Sequence, residues 1–469
     1  MKVEQIYTGC LAEAAYYIES QGEVAIVDPL REVAPYIEKA KEKGVRIKYV
    51  LETHFHADFV SGHLDLAKKT GAKIVYGPTA QPNFEAHIAT DGEILPLGNV
   101  KIKVLHTPGH TMESTTYLLI DEEGTEKAIF TGDTLFIGDV GRPDLAVKTD
   151  LTREDLAGHL FDSLRNKIMP LADDIIVYPG HGAGSACGKN MSAETTDTLG
   201  NQKRFNYALR ADMTREEFIK EVTTGLVEPP QYFPKNAVMN KMGYESFDEV
   251  LSRGAVALDA DTFENVVERN DALVLDTRRK EDFVKGFIPG SVWIGIEDKF
   301  APWVGALITD LKQSIVFVAD KGKEEEVITR LSRVGYDNTL GYLERGFETW
   351  KNANKEIDTL DEIGPHDFTN LYDTEKLNVL DVRKKSEYDS QHIKGAINFP
   401  LDFINKNMDK IDRKTPYYLH CQGGYRSVIA ASILKARGFD QVTNVRGGIN
   451  EIAKSCIKLT AFREPETML

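Results

Sequence analysis

The feature that most constrains this chain is a repeat in its C-terminal half. Leu273-Val-Leu-Asp276-Thr-Arg278 returns as Val379-Leu-Asp381-Val-Arg383, and Gly286-Phe-Ile-Pro-Gly-Ser291 returns as Gln391-His-Ile-Lys-Gly-Ala396. Gly335-Tyr-Asp matches Gly438-Phe-Asp, and Arg345-Gly-Phe closes the first copy as Arg446-Gly-Gly closes the second. Self-similarity at a spacing of about a hundred residues indicates tandem domains of one kind. Each copy alternates short apolar runs (315–318, 417–419) with helical stretches (324–333, 427–437), the pattern of a parallel α/β domain.

A length of 469 residues leaves room for one more domain at about 150 residues each. The reading is a first domain over 1–245, a second over 246–360 and a third over 361–469, with the charged segment 352–364 as linker and Pro229, Pro230 and Pro234 at the exit from the first. Strands are expected at 24–27, 47–51, 73–76, 102–105 and 115–120, followed by a helical stretch over about 195–241.

Charge and cysteine usage exclude several classes. The 57 Lys and Arg against 73 Asp and Glu give a formal charge of −16, with no basic stripe, so a nucleic-acid partner is not expected. The four cysteines, Cys10, Cys187, Cys421 and Cys456, are too scattered for a disulfide framework. No apolar run approaches the length of a membrane span, and the start of the sequence carries neither an export nor an import leader, so a cytoplasmic protein without membrane association is expected.

Chemistry-bearing residues gather where strands end. Thr53-His54-Phe-His56-Ala-Asp58-Phe59 follows the run 47–51, and Thr107-Pro-Gly-His110, Thr131-Gly-Asp133 and Tyr178-Pro-Gly-His181 each put a His or Asp at a strand-to-loop transition. This set resembles the metallo-β-lactamase superfamily, whose fold is an αββα sandwich. In its hydrolases, such as glyoxalase II, the Asp of the first motif is followed by a His that helps bind a second metal. Here that position is Phe59. The branch of the superfamily that works with one iron is the persulfide dioxygenases, and its ligand pattern carries over to His54, His110 and Asp133. Two imidazoles and a carboxylate form the facial triad suited to non-heme Fe(II), with one iron per domain and open positions for a persulfide and O2. His56, Asp58 and His181 are expected around the iron without binding it. Arg142 is a candidate anchor for an anionic substrate, and Cys187, in the glycine-rich run after His181, is a candidate contact for substrate sulfur.

In the last domain His420-Cys421-Gln422-Gly423-Gly424-Tyr425-Arg426-Ser427 lies between a strand and a helix. The loop amides and the helix N-terminus favour negative charge at the sulfur, so Cys421 is the candidate nucleophile. Four residues separate Cys421 from Arg426, one fewer than in the phosphatase cradle that shares this architecture. The loop resembles that of the rhodanese family. The resemblance implies that Cys421 carries sulfane sulfur as a persulfide, that Arg426 and the loop stabilise thiosulfate or sulfite, and that the Asp381-Val-Arg383 segment is scaffold. The matching loop of the middle domain, Ala319-Asp320-Lys-Gly-Lys323, has no cysteine and reads as about two residues shorter, so that domain is expected to be an inactive copy.

The whole is identified as similar to fusions of a persulfide dioxygenase with two rhodanese-like domains. That implies an α/β multidomain enzyme oxidising a low-molecular-weight thiol persulfide (glutathione, coenzyme A or bacillithiol) with O2 to sulfite and thiol. Cys421 then delivers sulfur to give thiosulfate, as in sulfide detoxification, and a homo-oligomer is expected. Two other readings stand beside it: a zinc thioester hydrolase of the glyoxalase II type, and a non-oxidative sulfur-relay or sensor protein.

Overall fold

The computed structural model describes residues 1–147, 150–297 and 299–464. The chain divides into two compact units, Met1–Phe247 and a second beginning at Asp248.

The first unit holds two six-stranded sheets. One runs in the order β1 (Lys2–Thr8), β2 (Glu13–Ser20), β3 (Glu23–Val27), β4 (Arg46–Leu51), β5 (Lys73–Tyr76), β6 (His87–Ile88). The other contains β7 (Ile94–Leu97), β8 (Val100–His106), β9 (Thr115–Ile120), β10 (Glu126–Gly132), β11 (Ile176–Pro179) and β12 (Asp197–Thr198), ordered from β12 back to β7. The alternating residues Tyr16, Ile18, Ala25 and Val27 of the first sheet meet Ile102, Val104, Tyr117, Leu119 and Phe130 of the second in one buried core. The opposite faces are buried too. Ala15, Tyr17, Val24 and Ile26 pack on Tyr36, Ala40 and Leu66 of the helices Ala34–Glu42 and His63–Thr70, while Leu118 and Ile129 pack with Ala157 and Leu160 of the helix Arg153–Ser163. Burial on both faces explains why β2 and β3 read as continuous apolar runs, and the result is the expected αββα sandwich. The stretch expected to be helical is three helices, Leu199–Phe205, Arg215–Thr223 and Phe233–Met242, because Thr214 caps the second and a proline opens the third.

The second unit holds two five-stranded sheets of matching order. They are β13 (Ala257–Leu258), β14 (Leu273–Asp276), β15 (Val292–Trp293), β16 (Ile315–Val318) and β17 (Thr339–Leu343), ordered 13-17-16-14-15, and β18 (Asp361–Ile363), β19 (Val379–Asp381), β20 (Ile397–Asn398), β21 (Tyr417–His420) and β22 (Val442–Val445), ordered 18-22-21-19-20. The repeated Asp-x-Arg is a buried clamp in each. Arg278 Nη2 donates to Asp276 at 2.6 Å and to the Gly286 carbonyl at 2.9 Å, and Arg383 Nη2 donates to Asp381 at 2.6 Å and to the Gln391 carbonyl at 2.7 Å.

Superposing the two pairings corrects two sequence expectations. Asp276 pairs with Val318 as Asp381 pairs with His420, and the following helices start at Glu324 and Arg426. The loops are therefore of equal length, and Ala319 stands where Cys421 does, with Glu324 where Arg426 does. Gly322 and Gly424 even share a left-handed backbone, φ +83 and +93. The closing segments also shift by one residue: Glu344 and Arg446 each donate a backbone N–H to the edge strand, so Arg345 is the counterpart of Gly447, which is why it sits at φ +57. Among the described residues no helix is long and apolar enough to cross a membrane.

Candidate metal centre and cysteine loop

The loop after β4 is organised by Asp28, at the end of β3. Thr53 N donates to Asp28 Oδ1 and Thr53 Oγ1 to Asp28 Oδ2, both at 2.8 Å. With its proton given to Asp28, the Thr53 hydroxyl can only accept from His54 Nδ1 at 3.0 Å. His54 Nε2 is thereby left with its lone pair, 4.0 Å from Asp133 Oδ2. His110 is set the same way: Nδ1 donates to the Arg142 carbonyl at 2.9 Å, and Nε2 lies 3.4 Å from Asp133 Oδ2. Burial, reinforced by His56, His110 and His181, holds the His54 imidazole well below the usual histidine range, so it stays neutral. Gly132 precedes Asp133 at φ +49, and a Cβ there would strike Thr53 Oγ1 at 2.4 Å, so only glycine lets the two loops meet.

These three side chains offer ligand atoms within 4.8 Å of one another, all buried. Neither oxygen of Asp133 accepts a hydrogen bond from a nitrogen or oxygen donor among the described residues. A buried carboxylate facing two imidazole lone pairs is costly unless a cation joins them, so the donor set fits a metal.

The neighbouring groups point differently. His181 Nδ1 donates to the Ala12 carbonyl at 3.2 Å, and Nε2 lies 3.3 Å from Asp58 and 3.5 Å from Asp133. His56 turns Nε2 toward Asp28 at 3.1 Å and Glu52 at 3.7 Å. Burial alone would lower its pKa, but Asp28, Glu52 and Asp58 outweigh this and lift it to about 10. Phe59 is fully buried with its ring 4.4 Å from that of His56. His56, Asp58 and His181 nonetheless form a second close group, and Asp133, His181 and Cys187 a third. Burial, with Asp58 and Asp133 beside it, pushes the Cys187 thiol well up, so it is a neutral neighbour of the centre.

Arg142 departs from the expected anion anchor. Its buried guanidinium donates to Asp144 at 2.6 and 2.8 Å, to the Ala186 carbonyl at 3.3 Å and to the Val227 carbonyl. It ties down the loop that bears Cys187 and leaves its own carbonyl to His110. Sequence reasoning missed Asp28, Thr53 and Asn240. Asn240 Nδ2 donates to the carbonyls of His56 and Phe59, both at 2.7 Å, and its Oδ1 accepts from Ser61 N at 2.9 Å. Asp28 directly after an apolar strand was the available signal; Asn240, far away on a helix, gave none.

In the last domain Cys421 Sγ is buried and accepts from Gly424 N at 3.1 Å and Ser427 Oγ at 3.6 Å. The space over Gly423 is open. The other loop side chains are committed elsewhere. Gln422 accepts from Arg383 at 3.3 Å and donates to Asn450 at 2.5 Å, Tyr425 donates to the Gly295 carbonyl at 3.0 Å, and Arg426 holds Glu387 with both terminal nitrogens at 2.5 and 2.8 Å.

Comparison with known proteins agrees with both halves. The metallo-beta-lactamase superfamily model matches residues 8–181, and the rhodanese-like domain model matches 259–353 and 364–455. The chain is 32% identical over 193 residues to hydroxyacylglutathione hydrolase GloC of Haemophilus influenzae, covering 36% of this chain and 85% of that one. It is 30% identical over 200 residues to the human mitochondrial persulfide dioxygenase ETHE1, covering 42% of this chain and 70% of that one. A crystal structure of a metallo-beta-lactamase from Staphylococcus aureus subsp. aureus COL aligns with TM-score 0.63 and 33% identity, over 73% of this chain and 98% of that one. The sandwich, the motif residues at its strand ends and the duplicated Asp-Arg clamps thus converge with these matches: the chain belongs to the metallo-beta-lactamase superfamily and continues into two rhodanese-like domains.

Proposed function

We propose that the N-terminal unit is a mononuclear iron persulfide dioxygenase and that Cys421 is a sulfurtransferase nucleophile acting on its product. The first reaction is RSSH + O2 + H2O → RSH + SO3²⁻ + 2 H⁺. In the second, Cys421 thiolate takes the outer sulfur of another persulfide, releasing RSH, and passes it to sulfite to give thiosulfate and the free thiolate.

The observation that carries this reading is the donor set of two imidazoles and one carboxylate, His54, His110 and Asp133, with Phe59 packed on His56 where a dinuclear hydrolase has an imidazole. Fe(II) held by these three would keep positions open for a persulfide anion and O2 and supply the redox chemistry of their union. The chain's part is positioning. Thr53 and the Arg142 carbonyl fix the two tautomers, Asp58 and His181 set polar groups beside the metal position, and the burial of these side chains would keep bulk water from the reacting sulfur. In the last domain the Gly424 amide and the Ser427 hydroxyl hold negative charge at Sγ as sulfur arrives and leaves.

A second reading has its own support: the group His56, Asp58 and His181, with the similarity to hydroxyacylglutathione hydrolases, favours a thioester hydrolase. One experiment separates them. Anaerobically iron-loaded protein is given glutathione persulfide or coenzyme A persulfide, with oxygen uptake, sulfite and thiosulfate followed beside the Cys421→Ser variant. Uptake with thiosulfate from the wild type and sulfite from the variant is expected. Absent uptake together with hydrolysis of a glutathione thioester would replace the reading with the hydrolase, and absence of both activities would leave a sulfur-relay protein.

A further inference from the structure

The cysteine-less domain reaches the cysteine loop of its sister. Trp293 of β15 donates its backbone N–H to Ser432 Oγ at 2.9 Å, on the helix that follows the loop, and its ring meets that of Tyr425 edge-on at 5.0 Å. The carbonyl of Gly295 accepts from the Tyr425 hydroxyl. On the same side, a Cβ placed on Gly424 would stand 3.8 Å from Lys280 Nζ. Gly424 is the residue whose amide touches Cys421 Sγ, so the ammonium of one domain lies over the nucleophile loop of the other.

The charge balance gives this contact a purpose. Thiosulfate and sulfite carry two negative charges, yet the two arginines that meet the cysteine loop are bound to carboxylates: Arg426 to Glu387, and Arg383, which also donates to Gln422, to the buried Asp381. Among the described residues Lys280 has a long pairing, 3.7 Å, with the exposed Glu281, and its side chain is 30% exposed.

We infer that Lys280 of the cysteine-less domain is the cation that selects dianionic sulfur donors and acceptors at Cys421; this rests on the sulfurtransferase reading given above. In the step it serves, Cys421 thiolate attacks the outer sulfur of thiosulfate, the S–S bond breaks, and sulfite leaves with the bonding pair, so one thiolate and one dianion become one persulfide anion and one dianion. Lys280 touches no reacting atom and acts through the charge it holds over the loop.

The test uses the full-length protein and two sulfane donors, thiosulfate (charge −2) and benzenethiosulfonate (charge −1), with cyanide as acceptor. Coulombic attraction is linear in substrate charge, so in Lys280→Gln a loss of about threefold in kcat/KM for the monoanion goes with about ninefold for the dianion, carried mainly by KM. Lys280→Arg restores most of both, and raising ionic strength erases the difference between wild type and Lys280→Gln. Equal losses for the two donors, or none, would overturn the inference while leaving Cys421 catalysis intact. If the wild type transfers sulfur from neither donor, the sulfurtransferase reading fails and the inference with it.

Discussion

The ring of Phe59 lies 4.4 Å from that of His56, with 36° between their planes. His56 turns its Nε2 toward Asp28 at 3.1 Å, and if a dinuclear site draws an imidazole from position 59, as the resemblance to the hydrolases implies, Phe59 offers carbon in its place. Phe59→His is therefore expected to raise metal content from about one to about two per chain after zinc loading, as read by elemental analysis, and to bring thioester hydrolysis with it. Metal content unchanged at one would mean that something other than Phe59 limits the site.

Thr53 fixes the His54 tautomer without touching the metal position itself. Thr53→Val keeps the shape and removes both hydrogen bonds, and metal affinity should fall about 10- to 100-fold in a competitive chelator titration. The far-ultraviolet circular dichroism should stay as in the wild type.

Arg142 separates two roles by its kinetics. As the buried tie seen here, Arg142→Lys should lower the unfolding free energy by about 2–4 kcal/mol in urea and leave KM for the persulfide unchanged. A raised KM at unchanged stability would mark it instead as a substrate anchor.

His63 gives the fold an acid limit. Burial, with Arg31 and His56 near it, lowers its pKa to about 3. Between about pH 6.5 and 3 the unfolded chain binds a proton here that the folded chain does not, so stability rises with pH through this window and is lost toward its acid end. From pH 7.5 down to about pH 4.5 the His63→Gln variant should lose about 2.5 kcal/mol less than the wild type, read from urea midpoints at each pH.

Much of this architecture is legible in the sequence. Strands β3, β4, β5 and β9 read as largely apolar runs because both faces of their sheets are covered, β8 reads by the alternation of Val100, Ile102 and Val104 with Lys101 and Lys103, and the metal-site motifs stand out because each sits where a strand ends. What did not read was long-range. Nothing in the sequence near Arg142 says that its guanidinium would meet carbonyls from Ala186 and Val227, and the helix holding Asn240 comes to the His56 loop only through the fold. The middle domain's loop looked short because its glycine pattern differs; only strand pairing revealed Ala319 and Glu324 at the positions of Cys421 and Arg426.

That equivalence has a practical meaning. The middle domain keeps the loop length, the left-handed glycine and the Asp-Arg clamp of its sister, while Ala319, Glu324 and Glu325 stand where Cys421, Arg426 and Ser427 do. Frame and reactivity are therefore separable in this fold: strands, clamp and glycine shape the loop, and the few side chains seated on it decide whether it can carry sulfur.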